Sequence, residues 1–182
     1  SAGLTEIYVV LGAWQGDVQG AHVIINQNWQ EGMGSSLRIG LEHISKIAAA
    51  TDVTISLVDL PGMTAEGIRE IVESSHDIVV GTFAGKPGHP VKFAKKHWAE
   101  VSQCAQGDMG ARNFLKGRDD VHFIPLDHLA SGKDIDTPED LARWGGPDRL
   151  FQLETLNFSG WKSDAETATA IVSDLTGDAM AG

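Results

Sequence analysis

The chain has 182 residues, of which 42% are hydrophobic and 21% charged, and its formal net charge is −11 at pH 7. This size and composition are typical of one soluble globular domain with a substantial core. The negative charge argues against nucleic acid or an anionic membrane as a partner, because both favour basic surfaces. The single cysteine, Cys104, excludes an internal disulfide and a cysteine zinc cluster, and it favours a cytoplasmic location.

Apolar runs alternate with helical patterns along the first three quarters of the chain. In chain order, the pattern predicts a strand at Ile7–Leu11, a strand at Val23–Ile25, a helix over 35–48, a strand at Val53–Asp59, a helix capped by Thr64, a strand at Asp77–Phe83, a short extended piece at Pro90–Phe93, a helix around Trp98, a strand at Val121–Leu126 and a helix starting at Thr137. This alternation predicts an α/β fold, a three-layer α/β/α sandwich around a mostly parallel sheet.

The pattern ends at Gly145-Gly146-Pro147. We therefore expect a main domain over residues 1–146 and a C-terminal extension over residues 147–182. Within the extension, residues 150–158 are expected to be extended. Ser163 and Glu166 have capping-box spacing, which predicts an amphipathic helix over 163–175.

Two glycines and two serines surround the start of the first predicted helix. The residues are Gly32, Met33, Gly34, Ser35 and Ser36. A Gly/Ser turn that opens a helix presents backbone N–H groups to an anion, which favours a phosphate or nucleotide site. The alternative is a plain helix cap with a flexible turn. Arg38, one turn later, either pairs with a phosphate or lies on the surface.

Single aspartates follow or flank predicted strands at two distant places. Asp59 comes directly after a β-branched run, and Asp134 and Asp136 precede the helix start at Thr137. Open α/β sheets bind ligands beyond the carboxyl ends of their strands, and Mg²⁺ is usually held by one or two carboxylates plus substrate phosphates. The alternative is that each aspartate caps its own turn.

Two compact turns in the second half contain further polar candidates. His89 stands in Gly88-His89-Pro90; a lone histidine more often has a structural role, and the alternative is a ligand contact. Asp108 and Arg112 belong to a glycine-rich turn, and Arg112 is the better candidate for binding an anion because that turn places it at a helix start.

Five motifs occur together in a fixed order. They are the segments 28–41, 58–62, 88–91, 107–112 and 134–141. This combination resembles the molybdenum cofactor cytidylyltransferases of the MobA-like NTP transferase group, over roughly residues 3–145. The resemblance implies a Rossmann-like nucleotidyltransferase that joins a nucleoside monophosphate to the phosphate of molybdopterin and releases pyrophosphate. Its substrates would be CTP or GTP and molybdopterin, and a further partner would be an acceptor molybdoenzyme or its chaperone.

The same resemblance implies roles for individual residues. Asp59 and Asp136 would be catalytic and would hold Mg²⁺ against the triphosphate. The five residues from Gly32 to Ser36 would line the nucleotide pocket. His89, Asp108 and Arg112 would lie on the pterin side.

The family begins with a strand and a phosphate loop that carries Arg and Lys, whereas this chain opens at the region just before the family's second strand. We therefore expect residues 1–182 to lack that inner strand and not to transfer a nucleotide on their own. The resulting seam would stay open, change the strand order, or be filled by a symmetry mate or by residues 150–158. Two other functions remain open: a transferase acting on a sugar phosphate or another small phosphorylated acceptor, and a non-catalytic nucleotide- or pterin-binding module.

Overall fold

The computed structural model describes residues 6–134 and the backbone of 169–174. Seven strands are described: β1 (Glu6–Leu11), β2 (His22–Ile25), β3 (Asp52–Leu57), β4 (Ile78–Phe83), β5 (Lys86–Ala94), β6 (His122–Pro125) and β7 (Thr169–Asp174). The α-helices in the same part of the chain are α1 (Met33–Ser45), α2 (Ala65–Val72), α3 (Trp98–Cys104) and α4 (Arg112–Leu115).

The described strands form one sheet in the order β2-β1-β7-β3-β5-β4-β6. Strands β1, β2, β3, β4 and β6 run in one direction, while β5 and β7 are antiparallel to their neighbours. The sheet is therefore mostly parallel, as predicted. Helices cover both of its faces, which confirms the α/β class and the three-layer arrangement.

Alternate residues of the strands face opposite helical layers. On one face, α1, α3 and α4 bury a large core that includes Leu41, Val101 and Phe114 together with Val53 and Phe93 of the sheet. On the other face, Ile71 of α2 packs against Val79 and Leu126. Strand β4 contributes to both cores because its successive side chains point to opposite faces.

Local signals explain how α2 starts and ends. The Thr64 hydroxyl accepts a hydrogen bond from Gly67 N at 3.1 Å, which is the predicted N-cap. At the other end, the buried ammonium of Lys92 donates to the carbonyl oxygens of Val72 at 2.9 Å and Ser74 at 2.8 Å. A cation at a helix C-terminus satisfies carbonyls that have no partner within the helix.

The predicted C-terminal helix is wrong over residues 169–174, which form strand β7. Strand β7 lies in the inner position between β1 and β3, pairing Thr169 with both Val10 and Leu57. The seam that we expected to be open or filled by residues 150–158 therefore receives residues 169–174, and part of the predicted extension belongs to the main sheet. The helix start at Thr137 and residues 150–158 lie outside the described residues.

Candidate functional site

The five parallel strands end at one edge of the sheet, which we call the carboxyl edge. Asn26, Asp59 and Asp127 each follow within a few residues of such a strand end. Strand β5 runs the other way, so its first residues, which include His89, begin at this edge. Ligands of open α/β sheets bind at this edge, and several of the sequence-predicted residues gather there.

Asp59 lies in the turn that follows β3, and it is half-buried. The segment after β6 packs against this turn, because Ser131 N donates to Gly62 O at 2.9 Å and the Thr64 hydroxyl donates to Leu129 O at 2.8 Å. The chain therefore passes beside the Asp59 turn as it approaches Asp134, which is exposed. Asp136 lies outside the described residues.

A buried polar network fixes the turn that opens α1. The Asn26 amide donates to the hydroxyl oxygens of Ser35 at 2.8 Å and Ser36 at 3.0 Å, and its oxygen accepts from Asn28 N at 2.9 Å. The Ser35 hydroxyl also lies 2.8 Å from Gly32 O. Both serine side chains are buried, so the protein itself uses their hydroxyl groups, and the polar groups that this turn offers to a nucleotide are those of its backbone.

The turn over residues 107–110 covers the start of α1. A Cβ at position 32 would overlap the Asp108 carboxylate, and a Cβ at position 34 would lie 2.8 Å from Gln106 N. Glycines at both positions allow the two turns to touch. The Asp108 carboxylate consequently lies at the N-terminal end of α1, where the helix dipole favours a negative charge.

Arg38 links the same two regions. One of its guanidinium nitrogens donates to Ala105 O at 2.6 Å, and another pairs with Glu31 at 2.8 Å. The sequence left open whether Arg38 pairs with a phosphate or lies on the surface. Neither alternative describes it fully, because its guanidinium links α1 to the end of α3.

His89 is held at the carboxyl edge by a backbone contact. Its Nδ1 lies 3.3 Å from Ile55 O on the neighbouring strand. Burial lowers the pKa of His89 below its ordinary value, and the positive charge of Arg112 lowers it further, although the hydrogen bond to Ile55 acts in the opposite direction. His89 and Arg112 are thus electrostatic neighbours, while the Arg112 side chain is exposed.

The structure forms two groups of these residues. Gly32 and Gly34 lie against the turn of Asp108, and Arg112 lies near enough to His89 for its charge to lower the pKa of His89. Met33 belongs to the first group, since a Cβ at Gly110 would lie 3.2 Å from its sulfur. The sequence reasoning missed Asn26. A polar residue directly after a buried apolar run was the available signal, but its partners lie nine and ten residues further along the chain.

Two negative findings apply to residues 6–134. No group of three or more His, Cys, Asp or Glu side chains there could hold a metal ion. Across the same described part of the chain, every helix is too short or too polar to cross a membrane.

The family model of the MobA-like NTP transferase domain matches residues 1–122. The chain belongs to this family. The chain therefore contains a nucleotidyltransferase domain, which agrees with the order of the motifs in its sequence.

Solved structures support the same fold. The crystal structure of Rv0371c from Mycobacterium tuberculosis H37Rv is similar with 26% identity and a TM-score of 0.65, over 79% of this chain and 76% of that chain. Its complex with manganese is similar with 22% identity and a TM-score of 0.61, over 75% and 74% of the two chains. A homologue of Rv0371c from Mycobacterium sp. strain JC1 is similar with 21% identity and a TM-score of 0.60, over 81% and 75%. None of the curated proteins matches this MobA-like chain significantly.

Proposed function

We propose that this protein transfers CMP from CTP to the terminal phosphate of molybdopterin, with Mg²⁺ as the metal. The observation that carries the proposal is the position of Asp59 at the carboxyl edge, beside the segment that leads to Asp134 and onwards to Asp136. The motif match supports molybdopterin as the acceptor and CTP as the nucleotide.

In this reaction, a phosphate oxygen of molybdopterin forms a bond to the α-phosphorus of CTP. The bond between that phosphorus and the bridging oxygen of pyrophosphate breaks, and pyrophosphate leaves with the electron pair. A bound divalent metal would supply charge neutralisation for the triphosphate. Asp59 and Asp136 would hold it, a donor set that suits Mg²⁺, which takes one or two carboxylates plus phosphate oxygens.

The remaining predicted residues have supporting roles in the proposal. Backbone groups of the turn from Gly32 to Ser36 line the nucleotide pocket, and the Asn26 network holds that turn in place. His89, Asp108 and Arg112 lie on the acceptor side. The manganese complex of a structurally similar protein supports the use of a divalent metal.

The test is metal-dependent nucleotide binding. We expect Mn²⁺ to bind the protein in the presence of CTP, and the decrease in the electron paramagnetic resonance signal of the free ion measures this binding. Asp59→Asn should raise the Kd for Mn²⁺ at least tenfold. Asp119→Asn is the control, because Asp119 is exposed in the segment before β6, at the opposite edge of the sheet. Equal Mn²⁺ binding by Asp59→Asn and Asp119→Asn would contradict the proposed role of Asp59.

Pyrophosphate release tests the reaction and its substrates. If the proposal is correct, pyrophosphate release from CTP requires both molybdopterin and Mg²⁺, and we expect Asp59→Asn to slow it at least tenfold while Asp119→Asn leaves it unchanged. Release that is equally fast without molybdopterin would contradict the proposed transfer, and release that requires a sugar phosphate instead would overturn the proposed acceptor.

A further inference from the structure

His89 lies at the carboxyl edge beside strand β3, whose following turn contains Asp59. Its Nδ1 lies 3.3 Å from the carbonyl oxygen of Ile55, a residue of β3 that precedes the turn with Asp59. The residue as a whole is half-buried. The imidazole is therefore enclosed on the protein side, close to the turn that contains the proposed metal ligand.

The contact with Ile55 determines which ring nitrogen carries the proton. A carbonyl oxygen can only accept a hydrogen bond, so Nδ1, at 3.3 Å from Ile55 O, must be the donor. In a neutral imidazole with a protonated Nδ1, Nε2 has a free lone pair and can only accept. No hydrogen-bond partner of Nε2 is found among residues 6–134.

The surroundings favour the neutral ring over the imidazolium. Enclosure in the protein disfavours the charged form, and the nearby guanidinium of Arg112 repels a second positive charge. His89 thus presents a fixed acceptor at the carboxyl edge, whereas the exposed Arg112 side chain presents only donors.

We propose that His89 is a specificity-determining residue whose Nε2 accepts a hydrogen bond from an N–H group of the acceptor substrate. This inference rests on the proposed function. It requires that the acceptor substrate be a nitrogen heterocycle with a ring or exocyclic N–H group. A phosphate or carboxylate has no donor to offer at this position when it is ionised. His89 therefore orients the acceptor with its heterocycle at β5 and its phosphate towards Asp59.

The first experiment compares two ligands on the unmodified chain. Lumazine has two ring N–H groups, and 1,3-dimethyllumazine replaces both by N-methyl groups. We expect fluorescence titration to give a Kd at least tenfold lower for lumazine. In ¹⁵N spectra of histidine-labelled protein, we expect a protonated Nδ1 for His89 and a shift of its Nε2 resonance when lumazine binds.

Two variants separate recognition from a structural role. An asparagine side chain at this position keeps an amide nitrogen near the position of Nδ1 but has no atom at the position of Nε2, so His89→Asn should abolish the preference for lumazine. A glutamine side chain reaches the position of Nε2 with an amide oxygen, so His89→Gln should retain part of the preference. Thermal unfolding of both variants checks that they fold.

The outcomes distinguish the inference from the proposed function. A preference for lumazine that persists in His89→Asn, or equal affinity of the two ligands for the unmodified chain, overturns the inference while Mn²⁺–CTP binding stands. Loss of Mn²⁺–CTP binding together with lumazine binding overturns both.

Discussion

The Asn26 network should contribute more to stability than its single side chain suggests. Asn26→Ala removes three hydrogen bonds, to the hydroxyl oxygens of Ser35 and Ser36 and from Asn28 N. At a net value of about 1 kcal/mol each, the loss is about 3 kcal/mol. The actual loss should be no smaller, because Ser36 is 1% exposed and its hydroxyl would be left without this partner in the interior.

Thermal and urea unfolding would measure this loss. For a domain of this size, about 3 kcal/mol corresponds to a decrease in Tm of about 6–12 °C. Asn28→Ala is a matched control, because Asn28 is exposed and takes part in the network through its backbone. A decrease for Asn26→Ala no larger than that for Asn28→Ala would refute the reasoning, since the three side-chain hydrogen bonds would then contribute nothing.

Three further predictions concern packing, capping and pH. Gly34→Ala should lower the free energy of unfolding by about 1–2 kcal/mol, because the new methyl group would meet the backbone of Gln106. The gain in helix propensity offsets only part of that cost. A variant that is more stable in urea unfolding would contradict the close approach. Lys92→Met should lower the free energy of unfolding by about 2 kcal/mol, because two carbonyl oxygens lose a charged donor. Lys46 is exposed, so the control Lys46→Met should change the free energy of unfolding by less than about 0.5 kcal/mol. Because burial lowers the pKa of His89 in the folded protein, the unfolded chain takes up a proton at a higher pH than the folded one does. The free energy of unfolding should therefore fall as the pH drops below about 6.5. An equally steep decrease in the Tm of a His89→Gln variant over this pH range would refute this.

Periodicity in the sequence predicted most elements of residues 6–134 because these strands are covered on both faces and contain long apolar runs. Strand β5 was longer than expected, Lys86–Ala94 instead of Pro90–Phe93, since its polar first half pairs with β4 in a hairpin. Turn geometry and pairing, rather than hydrophobicity, determine that half of the strand.

Strand β7 shows why local sequence signals mispredict a segment that pairs with a strand on each side. Ser163 and Glu166 predicted a helix from local capping alone, whereas the described strand pairs with β1 on one side and β3 on the other. Pairing along both edges of a strand supplies hydrogen bonds that no local pattern reveals, and tertiary context overrides helix propensity. The Asn26 network was missed for a related reason, because its partners are fixed only once α1 has packed.

The direction of β7 bears on how the site can neutralise a triphosphate. In a parallel position, the chain would leave the carboxyl edge after the strand and could enter a helix whose N-terminus faces the ligand. Strand β7 is antiparallel, so the chain instead arrives at this edge, between Val10 and Leu57, and enters the sheet at Thr169. The turn at the start of α1 offers backbone groups to the nucleotide, but the Asp108 carboxylate beside it offsets part of the positive potential of the helix N-terminus. In the proposed reaction, the metal held by Asp59 and Asp136 would therefore neutralise most of the charge of the triphosphate. For that reason, removing the divalent metal should weaken nucleotide binding by this chain more than a substitution in the turn from Gly32 to Ser36 does.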